Sequence, residues 1–432
     1  MTKLPKLSLA MGLIMISSLY LNAQSSAPGF YKDIFMDSGI MLTSRVDLPS
    51  ARYLNLTYES FISATNKEED VLTAKDTLIQ TSVICGNEMD ENGVLLYPDG
   101  QPRFRMIYMN GGKATQHGKS LTVVGRERIQ QFVKNGGSYV GTCAGAFIAC
   151  YSTNKEKDRR HEGYLAIWDG LTASTGLSNS YTGMFVEKKS PLLKYYDFGG
   201  DMRIDSVRHN GGCYAYDNER FPKGTEILLR YDADTIKLKT SIHKKISAWA
   251  CKVDDRQGRV ISIGSHPEGV ESGERLELMS AMVKYAMDGN GSPVVKGNLV
   301  NGEPRTMNCS TSDNNPEYTK VGDKQYHHFK VEVPRGVKTL TIKLTPVKGW
   351  TNFDLYLFAK HNDFAFNNTA DYKDVTLGVA KTMTIDNPAA GTMYISVFCD
   401  TTVDSSKTAY GTQYSGRTDV LNGVPYTISV KY

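Results

Sequence analysis

Residues 135–150 read NGGSYVGTCAGAFIAC, and the feature that most constrains the fold is Gly141-Thr142-Cys143-Ala144-Gly145 at the centre. One short apolar run ends at this pentapeptide and a second begins inside it, with no loop between them. A chain that turns from a strand directly into a helix brings two backbones close together. Glycine, having no Cβ, allows that approach. Such a junction belongs to a sheet whose strands alternate with covering helices. It also holds the apical residue, Cys143, clear of the top of the sheet.

The flanking sequence agrees. Gly125 to Lys134 predicts a helix, with Ile129, Phe132 and Val133 at i, i+3, i+4 and Asn135-Gly136-Gly137 as its stop. Tyr31 to Met36 and Gly39 to Thr43 are short apolar pieces around a glycine turn. Leu78 to Cys85, Arg105 to Met109, Thr225 to Tyr231, Ile246 to Val253 and Arg259 to Gly264 predict buried strands. Asp254 to Gly258 is a turn between the last two. Glu271 to Met287 is a helix with Leu278, Met279, Met282, Val283 and Ala286 on one face. The alternation predicts a parallel α/β sheet with helices on both faces.

The pattern changes near Asn290-Gly291-Ser292-Pro293. Beyond it no helical period recurs. Short alternating runs such as Tyr326 to Val333, Thr339 to Leu344 and Thr392 to Phe398 are punctuated by Gly, Pro, Asn and Asp, which predicts an all-β sandwich over 320–432. The polar, Asn-rich stretch 293–319 reads as a linker.

The first 23 residues have the form of a targeting segment. Lys3 and Lys6 precede an apolar run from Leu7 to Leu21, too short for a comfortable membrane span, and Ala23 offers a cleavage point. The chain is therefore expected to be exported, periplasmic or secreted from a bacterium. After signal removal, it would span no membrane, and the first domain would run over 24–292. A net charge of +4 over 432 residues gives no case for a nucleic-acid partner. The seven cysteines form no CxxC and no tight cluster, so neither a zinc site nor a cofactor is expected. Export permits disulfides, and the odd count leaves at least one thiol over, with Cys143 as the candidate.

Three stretches carry chemistry. A helix starting after Cys143 sets backbone N–H groups and a positive dipole end beside the sulfur, favouring thiolate. In VISIGSHPEG, His266 and Glu268 lie two residues apart on one extended segment and leave it in the same direction. Glu268 is then placed to steady His266 as a base for the thiol. In YMNGGKATQHG, Gly111 and Gly112 expose backbone N–H groups after a strand, and with the Ala144 N–H they suit an oxyanion. His117 and His209 stand beside glycine turns, as pocket residues or as loop histidines. Tyr164, Trp168 and Tyr214 suit either substrate contact or core packing. Cys150, two helical turns beyond Cys143, reads as a buried thiol.

Gly-Gly after a central strand, GxCxG at an elbow and His-Pro-Glu after a late strand, in that order, resemble the class I glutamine amidotransferase-like superfamily. The closest likeness is to its biotin-protein-ligase N-terminal-like branch, whose NGG turns and HPE are similar to residues 110–112 and 266–268. RHNGGCYAYD at 208–217 resembles that branch's Asn-Gly-Gly segment. The likeness spans roughly 30–288. It implies a flavodoxin-like sheet, with Cys143 as nucleophile, His266 as base and Glu268 as orienting acid. Gly112 and Ala144 would be the oxyanion donors, with Gly111, His209, Asn210 and Gly211 around the substrate. FDLYLFAKHND, TIDNPAAGTMYISVF and YTISVKY resemble the bacterial pre-peptidase C-terminal domain, in which Asp354 and Asp386 would face calcium or cap turns. No synthetase domain follows, so hydrolysis is expected rather than amide transfer. The expected activity is that of a cysteine-dependent amidohydrolase or peptidase working through a thioester, on a small-molecule, peptide or cell-wall-type amide. A carbohydrate or protein ligand is expected for the C-terminal domain. The alternative is a glycan- or peptide-binding protein that retains a relic triad.

Overall fold

β1 (Lys32–Asp37) shows why the first half folds as a layered sheet. Ile34 and Met36 point into one apolar cluster and Phe35 into another, as the two-residue period of a strand requires. Phe35 lies between Phe61 and Phe104, with ring centroids 4.7 and 4.8 Å away. The computed structural model describes residues 28–37, 48–61, 84–155, 159–408 and 411–432. The targeting segment over 1–23, the apolar piece at 39–43 and residues 78–83 of the strand expected to end at Cys85 lie outside them. Ile84 and Cys85 themselves are not in a strand.

The next elements are α1 (Pro49–Tyr53), β2 (Tyr58–Phe61), β3 (Phe104–Met109), α2 (Ala114–Ser120), α3 (Thr122–Lys134), β4 (Ser138–Thr142) and α4 (Ala144–Ala149). After them come β5 (Cys150–Thr153), β6 (Trp168–Ser174), β7 (Ser180–Val186), β8 (Arg203–His209), β9 (Cys213–Ala215), β10 (Glu226–Asp232), β11 (Ile246–Cys251), β12 (Val260–Ile263) and α5 (Glu274–Met287). The main path through the sheet is β2-β1-β3-β4-β12-β11-β10-β7-β8. From β2 to β12 neighbouring strands are parallel; from β12 to β8 they are antiparallel.

The sheet is thus mixed, which corrects the expectation of a parallel one. Parallel neighbours need a crossover of a dozen or more residues. The β11–β12 connection is a tight turn instead, closed by Asp254 Oδ1 accepting from Arg256 N at 2.8 Å and Gln257 N at 2.9 Å. Helices do cover both faces of the parallel half. Ile129, Phe132 and Val133 of α3 share a cluster with Phe35, Ile107, Met109 and Tyr139. Leu278, Met279, Met282 and Val283 of α5 share the other with Ile34, Met36, Met106, Tyr108 and Val140. Each such side chain contributes about 1.5–3 kcal/mol on burial.

The C-terminal elements are β13 (Val295–Asn298), β14 (Arg305–Met307), β15 (Tyr326–Val333), β16 (Thr339–Pro346), β17 (Leu355–His361), β18 (Tyr372–Asp374), β19 (Lys381–Asp386), β20 (Gly391–Cys399), β21 (Asp404–Thr408), β22 (Gly411–Ser415) and β23 (Tyr426–Lys431). They build one sheet in the order β13-β15-β20-β17-β18 and another in the order β14-β23-β16-β19. Alternate residues such as Leu340, Ile342 and Leu344 are buried between them. The stretch 293–319, expected as a linker, is folded into both sheets through β13 and β14. Its polar residues find partners there: Lys296 bonds Asp99, and Arg305 bonds the Lys296 carbonyl at 2.8 Å.

One apolar cluster extends from α3 into the sandwich. Across the same boundary the Arg103 guanidinium meets the Asp323 carboxylate at 2.5 Å, both at most 2% exposed, with the Tyr31 ring 4.2 Å from the guanidinium carbon. All seven cysteines are unpaired. Asp354 accepts from Gly378 N at 2.7 Å, a turn-capping role, and Asp386 is exposed at the end of β19.

Candidate functional site

Three carboxyl ends meet here, those of the neighbouring parallel strands β3, β4 and β12. Open α/β sheets bind ligands outside that edge.

Cys143 has φ 47° and ψ −102°, a conformation strained for a residue with a Cβ. The strain is held by bonds on either side: Cys143 N donates to Ile263 O at 2.9 Å, and Phe147 N donates to Cys143 O at 3.1 Å. The two flanking glycines are required by contact. A Cβ on Gly145 would lie 2.1 Å from the Met109 carbonyl oxygen, and one on Gly141 would lie 2.6 Å from the Gly145 carbonyl. Tyr139 fixes the same carbonyl through its hydroxyl at 2.7 Å.

His266 stands three residues past the end of β12, where its N–H donates to Arg208 O at 2.8 Å. Its Nδ1 lies 2.8 Å from Glu268 Oε1, and its ring is hydrogen-bonded to the Cys143 thiol. Cys143 is 4%, His266 7% and Glu268 1% exposed. Burial pulls the His266 imidazolium down. The Glu268 charge and the hydrogen bonds to Cys143 and Glu268 outweigh it and raise the ring from 6.5 to about 10. The charged ring is thus favoured beside the Cys143 sulfur. Glu268 is held in turn by Thr142 Oγ1 at 3.3 Å, and Tyr108 OH reaches Thr142 at 3.0 Å. Neither residue was singled out in the sequence; the signal was their place at the ends of the strands bearing Cys143 and Gly111.

Gly111 touches both members of the pair. A Cβ there would fall 2.3 Å from His266 Cε1 and 3.5 Å from Cys143 Cβ. Gly111 N donates to Asn110 Oδ1 at 2.8 Å, and Gly112, at φ +134°, is in a conformation that favours glycine. Among the described residues, no backbone acceptor takes the N–H of Gly112 or of Ala144, the first residue of α4. His117 is fully buried, with Nδ1 3.1 Å from Asp37 Oδ2 and Nε2 3.2 Å from Gly111 O.

The second Asn-Gly-Gly segment lies across the β12 turn. A Cβ on Gly212 would sit 1.7 Å from Gly264 O, and one on Gly264 would sit 1.8 Å from Cys213 O. The carbonyl of Asn210 is 3.6 Å from Cys143 Sγ, while its side chain accepts from Asn179 N at 2.9 Å. Gly211, exposed at φ +71°, donates its N–H to Leu177 O at 2.7 Å. His209 is fully buried, its nitrogens 2.7 Å from Thr175 Oγ1 and 2.7 Å from Ser265 Oγ. Burial, with the nearby His266 charge, lowers it to about 4, so it is neutral.

Other singled-out residues are in the core. Trp168 packs 5.1 Å from Trp249 and donates to Thr225. Tyr164 stacks on His161, and Tyr214 is 7% exposed. Cys150 donates to Phe147 O at 2.8 Å, and burial pushes its thiol up to about 12.

Residues 94–288 match the family model described as biotin-protein ligase, N terminal. PurLQS from Thermotoga maritima is similar at 11% identity over 59% of this chain and 99% of that one, with a TM-score of 0.31. The pre-peptidase C-terminal domain of collagenase from Bacillus anthracis is similar at 10% identity over 33% of this chain and 100% of that one, with a TM-score of 0.18. PliG from Aeromonas hydrophila, a periplasmic inhibitor of g-type lysozyme, is similar at 14% identity over 32% and 98%, with a TM-score of 0.19. A search of curated proteins returned no match.

Proposed function

We propose that this chain is a cysteine-dependent acyl-transfer enzyme that hydrolyses an amide or peptide bond. The observation that carries the reading is Cys143 on a positive-φ elbow, bonded to a His266 whose far nitrogen is held by Glu268 at 2.8 Å. Further support comes from the match of 94–288 to the biotin-protein ligase N-terminal model, and from the parallel strand order β2-β1-β3-β4-β12, which accords with a flavodoxin-like half-sheet.

In this reading Cys143 Sγ, its proton on His266, attacks the acyl carbon. An S–C bond forms and the carbonyl π pair moves onto oxygen, where Gly112 N–H and Ala144 N–H receive it. Collapse re-forms C=O and breaks C–N, and His266 returns its proton to the departing amine. Water, deprotonated by His266, then attacks the thioester and expels the thiolate. Glu268 keeps the ring oriented and balances its charge. The sequence resemblance suggests a small-molecule, peptide or cell-wall-type amide met outside the cytoplasm.

A second reading, binding without turnover, is favoured by one observation. Cys143 is 4% exposed and lies against the Asn210 carbonyl, a closed arrangement for a nucleophile. Intact-protein mass spectrometry with an electrophilic amide probe decides between the two. One adduct on wild type and none on Cys143→Ser or His266→Ala is the expected result. An unlabelled wild type, or equal labelling of the serine variant, removes Cys143 as nucleophile.

A further inference from the structure

We propose that Asp37 and His117 position the oxyanion donor of this site by fixing the orientation of the Gly111–Gly112 peptide. The inference rests on the acyl-transfer reading of Cys143 and extends it to two residues outside the Cys-His-Glu group.

A trans peptide is planar, so its C=O and N–H point in opposite directions. Whatever holds the Gly111 carbonyl therefore aims the Gly112 N–H. That carbonyl is held by His117 Nε2 at 3.2 Å from α2, on the side away from the Gly112 N–H. Restraint from outside is needed here. Gly111 and Gly112 lack side chains, Gly112 sits at φ +134°, and it is exposed, so the peptide is otherwise able to flip. His117 is itself fixed by Asp37, the last residue of β1, at 3.1 Å, and both side chains are fully buried. Both ring nitrogens face acceptor oxygens, a carboxylate and a carbonyl. A donor held on the carbonyl polarises the peptide and makes the opposite N–H the stronger donor. That N–H has no backbone acceptor among the described residues and belongs to the turn packed on His266 and Cys143. Asp37 and His117 are therefore positioning residues, acting through the peptide rather than on substrate.

The test separates two reactions of one sulfur in the full chain. Alkylation by iodoacetamide forms an S–C bond as iodide leaves, and no oxyanion develops. Acetylation by p-nitrophenyl acetate forms an S–C bond, places charge on the carbonyl oxygen, and then breaks the C–O bond to release p-nitrophenolate. His117→Leu should slow acetylation of Cys143 about 100-fold, the loss typical of one oxyanion donor, and leave its alkylation rate unchanged. His117→Gln, which offers an amide N–H to the Gly111 carbonyl, should recover part of the loss. Asp37→Asn should show a smaller loss in acetylation alone. Thermal unfolding of each variant reports its fold. Equal acetylation of wild type and His117→Leu overturns the inference. A parallel fall of both rates also overturns it, since His117 would then maintain the thiol. A wild-type Cys143 that is alkylated and never acetylated sinks the acyl-transfer reading, and this inference with it.

Discussion

Replacing Glu268 with Gln keeps the size and hydrogen-bonding capacity of the side chain and removes its charge. In the wild type, burial lowers the His266 imidazolium and Glu268 with the Cys143 contact raises it, for a net rise from 6.5 to about 10. At about 1.4 kcal/mol per pH unit, that rise is worth roughly 5 kcal/mol in favour of the protonated ring. In Glu268→Gln the burial remains and the largest opposing contribution is gone, so the ring should titrate below neutrality. The protein has eight histidines, and ¹³C-labelling with a His266→Gln reference identifies the relevant signal. Wild-type His266 should hold one chemical shift through neutrality and move only near pH 10. Stability follows the same titration. A group raised on folding stabilises fully below its unfolded value near 6.5, and that stabilisation is lost as pH rises through about 10. The stability gap between wild type and Glu268→Gln should therefore be widest at pH 6 and close towards pH 11. Alkylation of Cys143 at pH 7 should also be slower in the variant. A wild-type His266 that titrates near 6.5, or a gap constant across pH, would refute the proposed ion-paired resting state.

Two further outcomes test the scaffold. Gly145→Ala drives a Cβ to 2.1 Å from the Met109 carbonyl, so it should cost about 1–3 kcal/mol in urea unfolding and slow Cys143 alkylation; unchanged values in both would show that the elbow is not held by that contact. Asp323→Ala leaves the buried Arg103 guanidinium uncompensated and should cost about 3–5 kcal/mol, whereas Arg103→Met with Asp323→Leu should fall near wild type, as measured by the shift in urea midpoint.

The elbow was legible because its chemistry is local. Gly141, Cys143 and Gly145 are spaced by the turn itself, and His266 and Glu268 by one extended segment. Their meeting was inferred from motif order, and the structure brings Cys143, His266 and Gly111 into contact. What the sequence concealed is non-local. Nothing near His117 points to Asp37, because the strand that carries Asp37 is remote in sequence and joins it only through the sheet. His209 resembled a pocket residue by its glycine neighbours, yet Thr175 and Ser265, just past the ends of β6 and β12, satisfy both its nitrogens. β8 escaped notice because its burial does not alternate regularly, with Asp205 and Ser206 both exposed. Residues 293–319 read as a linker because their polar side chains bond across a boundary that composition does not reveal.

In the proposed reading, the adjacency of β4 and β12 sets when the Cys143 thiol is activated. Cys143 and His266 are more than a hundred residues apart in the chain and become neighbours only when those two strands pair. Long-range parallel pairing is a slow step in folding. Until it happens, a nascent chain carries ordinary cysteines and no activated one. Under the proposed acyl-transfer reading, reactivity is licensed by completion of the sheet, and a chain stalled before that point is chemically quiet.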